Sequence, residues 1–509
     1  MPYSPIDVHA SAAQRQLIQA LADLKTEFGL PEGFSPEVMA EVQQMLDDHP
    51  LPDLDLTDLP FLTLDPPGSR DLDQAMFLQR VDPVAGGHSY LVHYAIADLP
   101  SFVLPGGALD AETRRRGQTI YTPDGRVPLH PAELGEGAAS LSAGQIRPAF
   151  VWQIKLDAEA EMLSMEVRPA RIRSVARLSY QQAQEMLADD GHAARTTADD
   201  GLTAADATSA PPRVCLETLC LLKEIGLARI ALEHQRGGAS LNAPEQEVEH
   251  DGHQYRLVFR PGLPIEDWNA QISLLTGMAA AKLMLAGRVG ILRTMPEPDS
   301  DAVDRYRRQS VALGKPWPAD MPYGDYLRSL DHTDPKQVAL MHAATSLFRG
   351  AGYTPFDGAL PEQRVQAAVA APYAHTTAPL RRLVDRFVLS ICSALCAGDE
   401  VPQWARDALP GLPALMMASD QLANRVNRAA VDTVEAALLS THIGQEFDAV
   451  VLAGPRSNGN GNGTPRSTIQ IKEPAVSAYC EGVLEPGSNV RVRLMQADMA
   501  TRVVLFQQV

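Results

Sequence analysis

The stretch "TLDPPGSRDLDQAMFLQRV", residues 63 to 81, gathers three aspartates around a Pro-Pro-Gly turn. The preceding "LPFLTL" predicts a strand that delivers Asp65 to its C-terminal end, where the turn reverses the chain. In an extended "RDLDQ", the period of two places Asp71 and Asp73 on one face. We therefore expect the three carboxylates to converge near the start of a second strand.

Carboxylates that lie a few ångströms apart repel one another and raise one another's pKa values. A hard dication between them relieves this repulsion, and Mg²⁺ suits carboxylate and water ligands. A magnesium ion held by few carboxylates completes its shell with substrate phosphate, which indicates phosphoryl chemistry. The alternative is a solvated turn, because Asp, Pro, Gly and Ser are ordinary turn residues. The spacing alone leaves both interpretations open.

Length and composition indicate a packed protein of several domains, with 509 residues, 45% hydrophobic residues and 21% charged residues. The five cysteines include no CxxC pair, so we expect buried thiols in a reducing cytoplasm. No signal pattern and no membrane-length apolar run is evident, and we expect no membrane association. The net charge of −19 is a weak guide to partners, because binding depends on where positive charges cluster.

Three regions differ in pattern. Residues 1–55 hold two amphipathic helical segments and predict a helical, helix-turn-helix-like unit. Residues 56–440 alternate short strands with long helices, interrupted at 189–212 by a stretch without apolar periodicity that predicts a mobile surface loop. Residues 441–509 contain about five short strands with turn signals, which suits a small β-barrel such as an OB-fold.

Two motifs carry a family resemblance. The stretch 59–131 resembles the catalytic domain of the ribonuclease II and ribonuclease R family, the RNB-type 3′→5′ exoribonucleases. The family motif D-x5-D-x-D-D stands here as Asp65, Asp71, Asp73 and Gln74. About 300 residues downstream, "YAHTTAPLRRLVDRF" (373–387) resembles the second family signature, in the expected order.

The resemblance implies an α+β fold with three parts. Residues 56–440 would form the RNB catalytic domain, a mixed β-barrel or sheet surrounded by helices. Residues 441–509 would form the S-one-type OB-fold barrel that binds RNA. The helical segment 1–55 would replace the usual pair of cold-shock barrels as a helix-turn-helix-like RNA-binding domain.

The resemblance also implies roles for the charged residues. Asp65, Asp71 and Asp73, with Gln74 at the fourth position, would hold Mg²⁺, or Mn²⁺ in its place, and Asp73 would be the central catalytic residue. Arg381, with Arg382 beside it, would clamp the scissile phosphate. Two adjacent arginines at the start of a helix are alternatively an ordinary solvated pair.

Tyr121 and Tyr180 align with family tyrosines that stack on bases near the RNA 3′ end. Stacking reads no particular base, so tolerance of sequence follows. Lone tyrosines are alternatively core residues with a satisfied hydroxyl. His93 is expected to pack in the sheet, and His375 to orient a turn. Asp98, which closes a strand, is a candidate brace for the site.

These features predict a cytoplasmic, monomeric, Mg²⁺-dependent and processive 3′→5′ exoribonuclease that degrades single-stranded RNA to nucleoside 5′-monophosphates. A second hypothesis is a catalytically weak or inactive RNA-binding protein on the same fold, and it is motivated by Gln74. A third is a metal-dependent phosphodiesterase acting on another nucleotide. Because the Gln74 oxygen brings no charge, we expect weak affinity for a second metal, which Gln74→Asp should improve.

Overall fold

The structure is a computed structural model, and the residues that it describes are 11–47, 49–81, 89–188, 212–239, 245–250, 255–260, 262–331, 334–455, 465–471 and 476–509. The α-helices of these ranges are α1 (Ser11–Glu27), α2 (Pro36–Asp47), α3 (Ala108–Arg116), α4 (Tyr180–Ala188), α5 (Pro212–Arg236), α6 (Pro264–Gly287), α7 (Ser300–Ala312), α8 (Tyr323–Arg328), α9 (Pro335–Ala344), α10 (Leu383–Ala397), α11 (Gln403–Ala408) and α12 (Leu412–Leu439).

The strands of the described residues are β1 (Phe61–Asp65), β2 (Gln74–Arg80), β3 (Tyr90–Ala97), β4 (Ile120–Thr122), β5 (Gly125–Val127), β6 (Ile146–Leu156), β7 (Met162–Ser179), β8 (Glu245–His250), β9 (Tyr255–Arg260), β10 (Val289–Thr294), β11 (Gly352–Asp357), β12 (Val365–Gln366), β13 (Ala371–Pro372), β14 (Glu446–Ala453), β15 (Arg466–Ile471), β16 (Ser477–Glu481), β17 (Asn489–Asp498) and β18 (Val503–Gln508).

A closed barrel of β1, β2, β3, β6 and β7 forms the centre of the fold. Its neighbours pair antiparallel, except that β1 closes the barrel by pairing parallel with β7. In that parallel register Asp65 lies opposite Ser179, at the ends of both strands. The barrel closure therefore places the end of β1 beside the start of α4, which follows β7 directly.

Strand β3 shows why this barrel is buried on both sides. Alternate side chains of a strand point to opposite faces. Tyr94 and Ile96 join one hydrophobic cluster, which contains much of α6 and α10. Ala95 and Ala97 join a second cluster, which contains residues of α2 and α3. The strand is thus apolar at nearly every position because helices cover both of its faces.

The N-terminal helices pack onto the rest of the chain. Leu17, Leu21 and Leu24 of α1 are buried against α12. Glu41 of α2 accepts a hydrogen bond of 2.6 Å from the amide of Ala108 at the start of α3. A carboxylate at a helix N-terminus satisfies free amides and opposes the positive end of the helix dipole. These contacts fix the N-terminal helices against α12 and α3.

The C-terminal region forms a second closed barrel with the strand order β14–β15–β16–β18–β17. Its interior contains Val451, Ile469, Val492 and Phe506. Five short strands closed in this way match the OB-type barrel expected from the sequence, and the expected α+β fold with a helical N-terminal region is also confirmed. The loop expected at 189–212 lies almost entirely outside the described residues, and so does the Gly-Asn-rich stretch 456–464.

Two local predictions were less accurate. The apolar pattern of residues 376–397 predicts one long helix, but the helix begins at Leu383, because Pro379 lies in the turn that precedes it. Residues 71–73 are not part of a strand, and β2 begins at Gln74. Among the described residues, only α6 is long and apolar enough to cross a membrane, and half of that stretch is buried within the protein. Its packing against α5 and α10 is typical of a core helix.

Candidate active site

Asp73 joins the two sequence motifs. It directly precedes β2 and is 5% exposed. Its Oδ1 accepts a hydrogen bond of 2.8 Å from the amide of Leu380, and its Oδ2 lies 3.7 Å from Nε of Arg381. Burial raises the pKa of Asp73 well above its usual value, although Arg381 and the Leu380 amide oppose this shift. The aspartate and the arginine motif therefore form one site.

Arg381 and Arg382 have different surroundings. The Arg381 side chain is 52% exposed, so its guanidinium can reach a ligand. Arg382 lies just before α10 and donates from Nη2 to Oδ1 of Asp385 at 2.8 Å, with a second bond from Nε to the other carboxylate oxygen. Asp385 in turn accepts from the amide of Ala378. Arg382 thus forms a bidentate internal ion pair, whereas Arg381 faces outward.

Asp65 lies at the end of β1, as expected from the sequence. Its Oδ2 is buried and has no hydrogen-bond partner. Burial raises the pKa of Asp65 to about 7, with Arg381 opposing that shift and Asp71 adding to it. A buried carboxylate oxygen without a donor is costly unless a proton or a cation occupies it.

Asp71 is held by a neighbour that the sequence analysis did not identify. Arg126 of β5 donates from Nη1 to Asp71 and from Nη2 to Glu136, each at 2.5 Å. Tyr121 lies on β4, which pairs with β5, so the β4–β5 hairpin brings both residues to the site. A guanidinium that bridges two carboxylates fixes their orientation. The Pro123-Asp124 turn, followed by Gly125, was the available sequence signal for this hairpin.

Gln74 points toward protein partners. Its Nε2 donates to the carbonyl of Thr377 at 2.7 Å, and its Oε1 accepts a bond from the hydroxyl of Tyr94 at 2.5 Å. Ser273 Oγ lies 3.5 Å from the same Oε1. The amide group is therefore occupied at both ends.

Tyr121 and Tyr180 both lie near the carboxylates. Tyr121 is 50% exposed, and its pKa is raised by burial of its hydroxyl and by Asp71. Tyr180 begins α4, and its hydroxyl accepts a bond of 3.2 Å from Nδ2 of Asn269. Burial raises the pKa of Tyr180 to about 12, and Asp65 adds to that shift. Both rings are thus electrostatically close to the aspartates.

The other candidates have supporting contacts. His93 stacks on Phe77 and contacts Gln153 within the barrel, as expected for a packed residue. His375 is partly buried and contacts the Tyr353 hydroxyl at 2.8 Å. Burial and three arginines, including Arg382, hold the pKa of His375 well below its usual value, so this ring is neutral. Asp98 accepts from the amide of Ser101 and stabilises the turn after β3.

The carboxylates of this site are candidate ligands for a divalent cation. Within the described ranges, no group of three or more His, Cys, Asp or Glu side chains lies close enough to hold a metal as it stands. The donor set nevertheless fits Mg²⁺, because Asp65 offers an unpartnered buried carboxylate oxygen and Asp73 a second buried carboxylate. Asp71 would complete the set on leaving Arg126, whereas the Gln74 amide is occupied by Thr377 and Tyr94.

Comparison with known proteins agrees with this architecture. Residues 54–397 match the RNB domain, and residues 445–509 match the RNase II-type exonuclease C-terminal S1 domain. The chain therefore belongs to the RNB family. Curated relatives include ribonuclease R of Escherichia coli, 26% identical over 368 residues, and the probable exosome complex exonuclease RRP44 of Caenorhabditis elegans, 26% identical over 374 residues.

These alignments cover 70% and 69% of this chain but only 42% and 35% of the relatives. Among solved structures, the apo form of Mycoplasma genitalium RNase R superimposes with a TM-score of 0.81 at 17% identity, over 97% of this chain and 78% of that chain. Yeast Ssd1, described as a pseudonuclease, superimposes with a TM-score of 0.69 at 16% identity, over 96% and 59%. The fold is thus shared by a ribonuclease and by a protein described as lacking that activity.

Proposed function

We propose that this protein is a processive 3′→5′ exoribonuclease that hydrolyses single-stranded RNA to nucleoside 5′-monophosphates with Mg²⁺, or Mn²⁺ in its place. The observation that carries the proposal is the half-exposed Arg381 guanidinium beside the buried carboxylate of Asp73, with the buried Oδ2 of Asp65 in the same site. Clustered carboxylates with an available arginine suit phosphodiester hydrolysis. A solved structure of Mycoplasma genitalium RNase R holds single-stranded RNA on the same fold, which supports RNA as the substrate.

Each residue of the site has a defined task in this proposal. Asp65, Asp71 and Asp73 would hold the cation, which when bound supplies an activated water and neutralises charge on the phosphate. Arg381 binds the scissile phosphate, and its half-exposed side chain leaves it free to do so. Tyr121 and Tyr180 stack on the terminal bases, which holds the phosphodiester at the carboxylates without reading sequence.

Arg382 has a less direct role in this proposal. Its bidentate pair with Asp385, which also accepts from Ala378, holds the turn before α10 in place. The guanidinium contributes positive charge near the phosphate while it fixes the backbone from which Arg381 extends.

We also propose that the protein is a monomer and that it is located in the cytoplasm. The five free cysteines support the cytoplasmic location, because they fit a reducing compartment.

The second candidate is an RNA-binding protein with weak or no catalysis. It is favoured by Gln74, which replaces an acid of the family motif, and by the structural likeness to a pseudonuclease. Incubation of the purified protein and Mg²⁺ with RNA labelled at either the 5′ or the 3′ end separates the two. A ladder that shortens from the 3′ end and disappears with chelator supports the enzyme, and a stable retained complex supports the binder. Cleavage that survives chelation rejects the metal-dependent mechanism.

A further inference from the structure

Gln74 is anchored by three polar groups from three separate segments. The Thr377 carbonyl accepts from its Nε2, and the Tyr94 hydroxyl of β3 donates to its Oε1. Ser273 of α6 contacts both that oxygen, at 3.5 Å, and the Tyr94 hydroxyl, at 2.8 Å. Because a carbonyl can only accept, the amide nitrogen must be the atom that faces Thr377. The side chain is therefore oriented by its surroundings.

Thr377, whose carbonyl bonds to Gln74, belongs to the turn that carries Arg381. Asp73 and Gln74 are adjacent, and they hold this turn at Leu380 and Thr377 respectively. Asp385 holds the amide of Ala378 between those two points. Arg381 directly follows this segment. These hydrogen bonds therefore fix the backbone from which its side chain extends.

A carboxylate at position 74 could not form the same contact. Ionised Asp and Glu have acceptor atoms only, so they would face the Thr377 carbonyl with no hydrogen to donate. Two oxygens at that distance repel, and the carbonyl would lose its partner in a partly buried setting. A neutral amide satisfies both the carbonyl and the Tyr94 hydroxyl. This requirement gives a physical reason for glutamine where the family motif has its fourth acid.

We propose that Gln74 is a positioning residue that acts through Thr377 to place Arg381 for RNA phosphate, and that it is not a metal ligand. The inference rests on the proposed function, in which Arg381 holds the scissile phosphate. It replaces our expectation from the sequence that the Gln74 oxygen ligates the cation weakly.

The test compares Gln74→Met, which keeps the side-chain length but removes the donor and acceptor, with Gln79→Met on the same strand. In metal-free protein, Gln74→Met should accelerate amide hydrogen exchange over residues 376–382 and leave the barrel strands unchanged. In chelator, its affinity for single-stranded RNA should fall about threefold to tenfold, the range for one lost hydrogen bond. The Gln79 variant should change neither measurement.

A double-mutant cycle tests the route through Arg381. If Gln74 acts by placing that arginine, Gln74→Met should weaken RNA binding less than about twofold when Arg381→Ala is already present. Losses that add fully in the double variant would overturn the proposal. In the loaded enzyme, the half-saturating Mg²⁺ concentration should be unchanged by Gln74→Met, whereas turnover should fall.

The opposite pattern of results would identify Gln74 as a ligand of Mg²⁺. A several-fold rise in the Mg²⁺ requirement, with metal-free RNA affinity and hydrogen exchange unaltered, would overturn the positioning role. Gln74→Asp adds a second check. If Gln74 is a metal ligand, this variant should need less Mg²⁺. If Gln74 is a positioning residue, the variant should have impaired turnover and an unchanged Mg²⁺ requirement. A wild-type protein that neither binds nor cuts RNA would reject the proposed function. Separately, unchanged hydrogen exchange over residues 376–382 in Gln74→Met would reject the positioning role of Gln74.

Discussion

Nε of Arg381 lies 3.7 Å from Oδ2 of Asp73, a distance too long for a good hydrogen bond. The charge of Asp73 attracts the guanidinium, but it does not occupy the donors of Arg381. The adjacent Arg382 is the contrasting case, because Asp385 takes its donors in a bidentate pair. Two neighbouring residues of the same type therefore differ in whether they can bind a substrate.

This contrast predicts different defects for the two arginines. Arg381→Ala should lower turnover by about 100-fold or more, because a phosphate-stabilising donor is lost. Its thermal stability should barely change, because half of the side chain is exposed. Arg382→Ala should instead reduce the free energy of unfolding by about 3–5 kcal/mol, since it leaves the buried Asp385 without its partner. Denaturant titration and single-turnover cleavage measure the two effects, and equal destabilisation by both variants would contradict the distinction.

Asp73→Asn should abolish cleavage while RNA is still retained. The asparagine oxygen can keep the bond to the Leu380 amide, so the turn should remain in place. The negative charge that would hold the cation is lost, and a fall in turnover of at least about 100-fold is expected. Single-turnover digestion and a retention assay on the same RNA give the two readouts. Wild-type cleavage rates in this variant would refute the metal assignment.

Mg²⁺ should stabilise the protein through Asp65. A ligand that binds only the folded state raises the melting temperature with its concentration. The unpartnered Oδ2 of Asp65 should contribute to that binding, so Asp65→Asn should shrink the Mg²⁺-dependent shift. Thermal melts in chelator and in a Mg²⁺ series provide the measurement, and Asp53→Asn in the segment before β1 provides a control. An undiminished shift in Asp65→Asn would exclude Asp65 from the cation site.

Asp98 should make stability depend on pH. Burial raises the pKa of Asp98 to about 6, above the value of about 3.9 for an exposed aspartate. The folded state therefore keeps its proton over a range where the unfolded state has lost it, and this contribution to stability falls as pH rises from about 4 to about 6. Asp98→Asn removes the buried charge and can keep an acceptor for Ser101. It should be more stable than wild type above pH 6 by about 1–3 kcal/mol, with the gain vanishing near pH 4. A pH-independent difference in denaturant titrations would contradict this origin.

Tyr121 should contribute to RNA affinity through its ring. A stacked base is worth about 1–3 kcal/mol, so Tyr121→Ala should weaken single-stranded RNA binding by roughly tenfold or more. Tyr121→Phe keeps the ring and should bind almost as well as wild type. Because the side chain is half exposed, neither variant should lose much stability. Fluorescence anisotropy with an unstructured RNA measures the affinities, and equal weakening by both variants would mean that the hydroxyl matters more than stacking.

The sequence predicted those parts of the site that follow from local pattern. Asp65 could be placed at the end of a strand because the apolar run and the Pro-Pro-Gly turn are adjacent in the chain. The pairing of Asp71 with Arg126 could not be predicted, because it depends on how the β4–β5 hairpin packs against the turn. The direction of Gln74 likewise depends on Thr377, which is 303 residues away. Periodicity predicts the face of a strand or helix on which a side chain lies. Its hydrogen-bonding or ionic partner depends on tertiary packing.

The bond between the Leu380 amide and Asp73 has a consequence for the timing of activity during synthesis. Its two residues are 307 positions apart, and Arg381 follows the second of them. A growing chain that has exposed only the aspartate segment lacks Arg381, the residue that the proposed function assigns to RNA phosphate. The site can therefore assemble only after the segment around residue 381 has left the ribosome. Under the proposed function, cleavage of RNA by this chain therefore has to wait until translation has passed that segment.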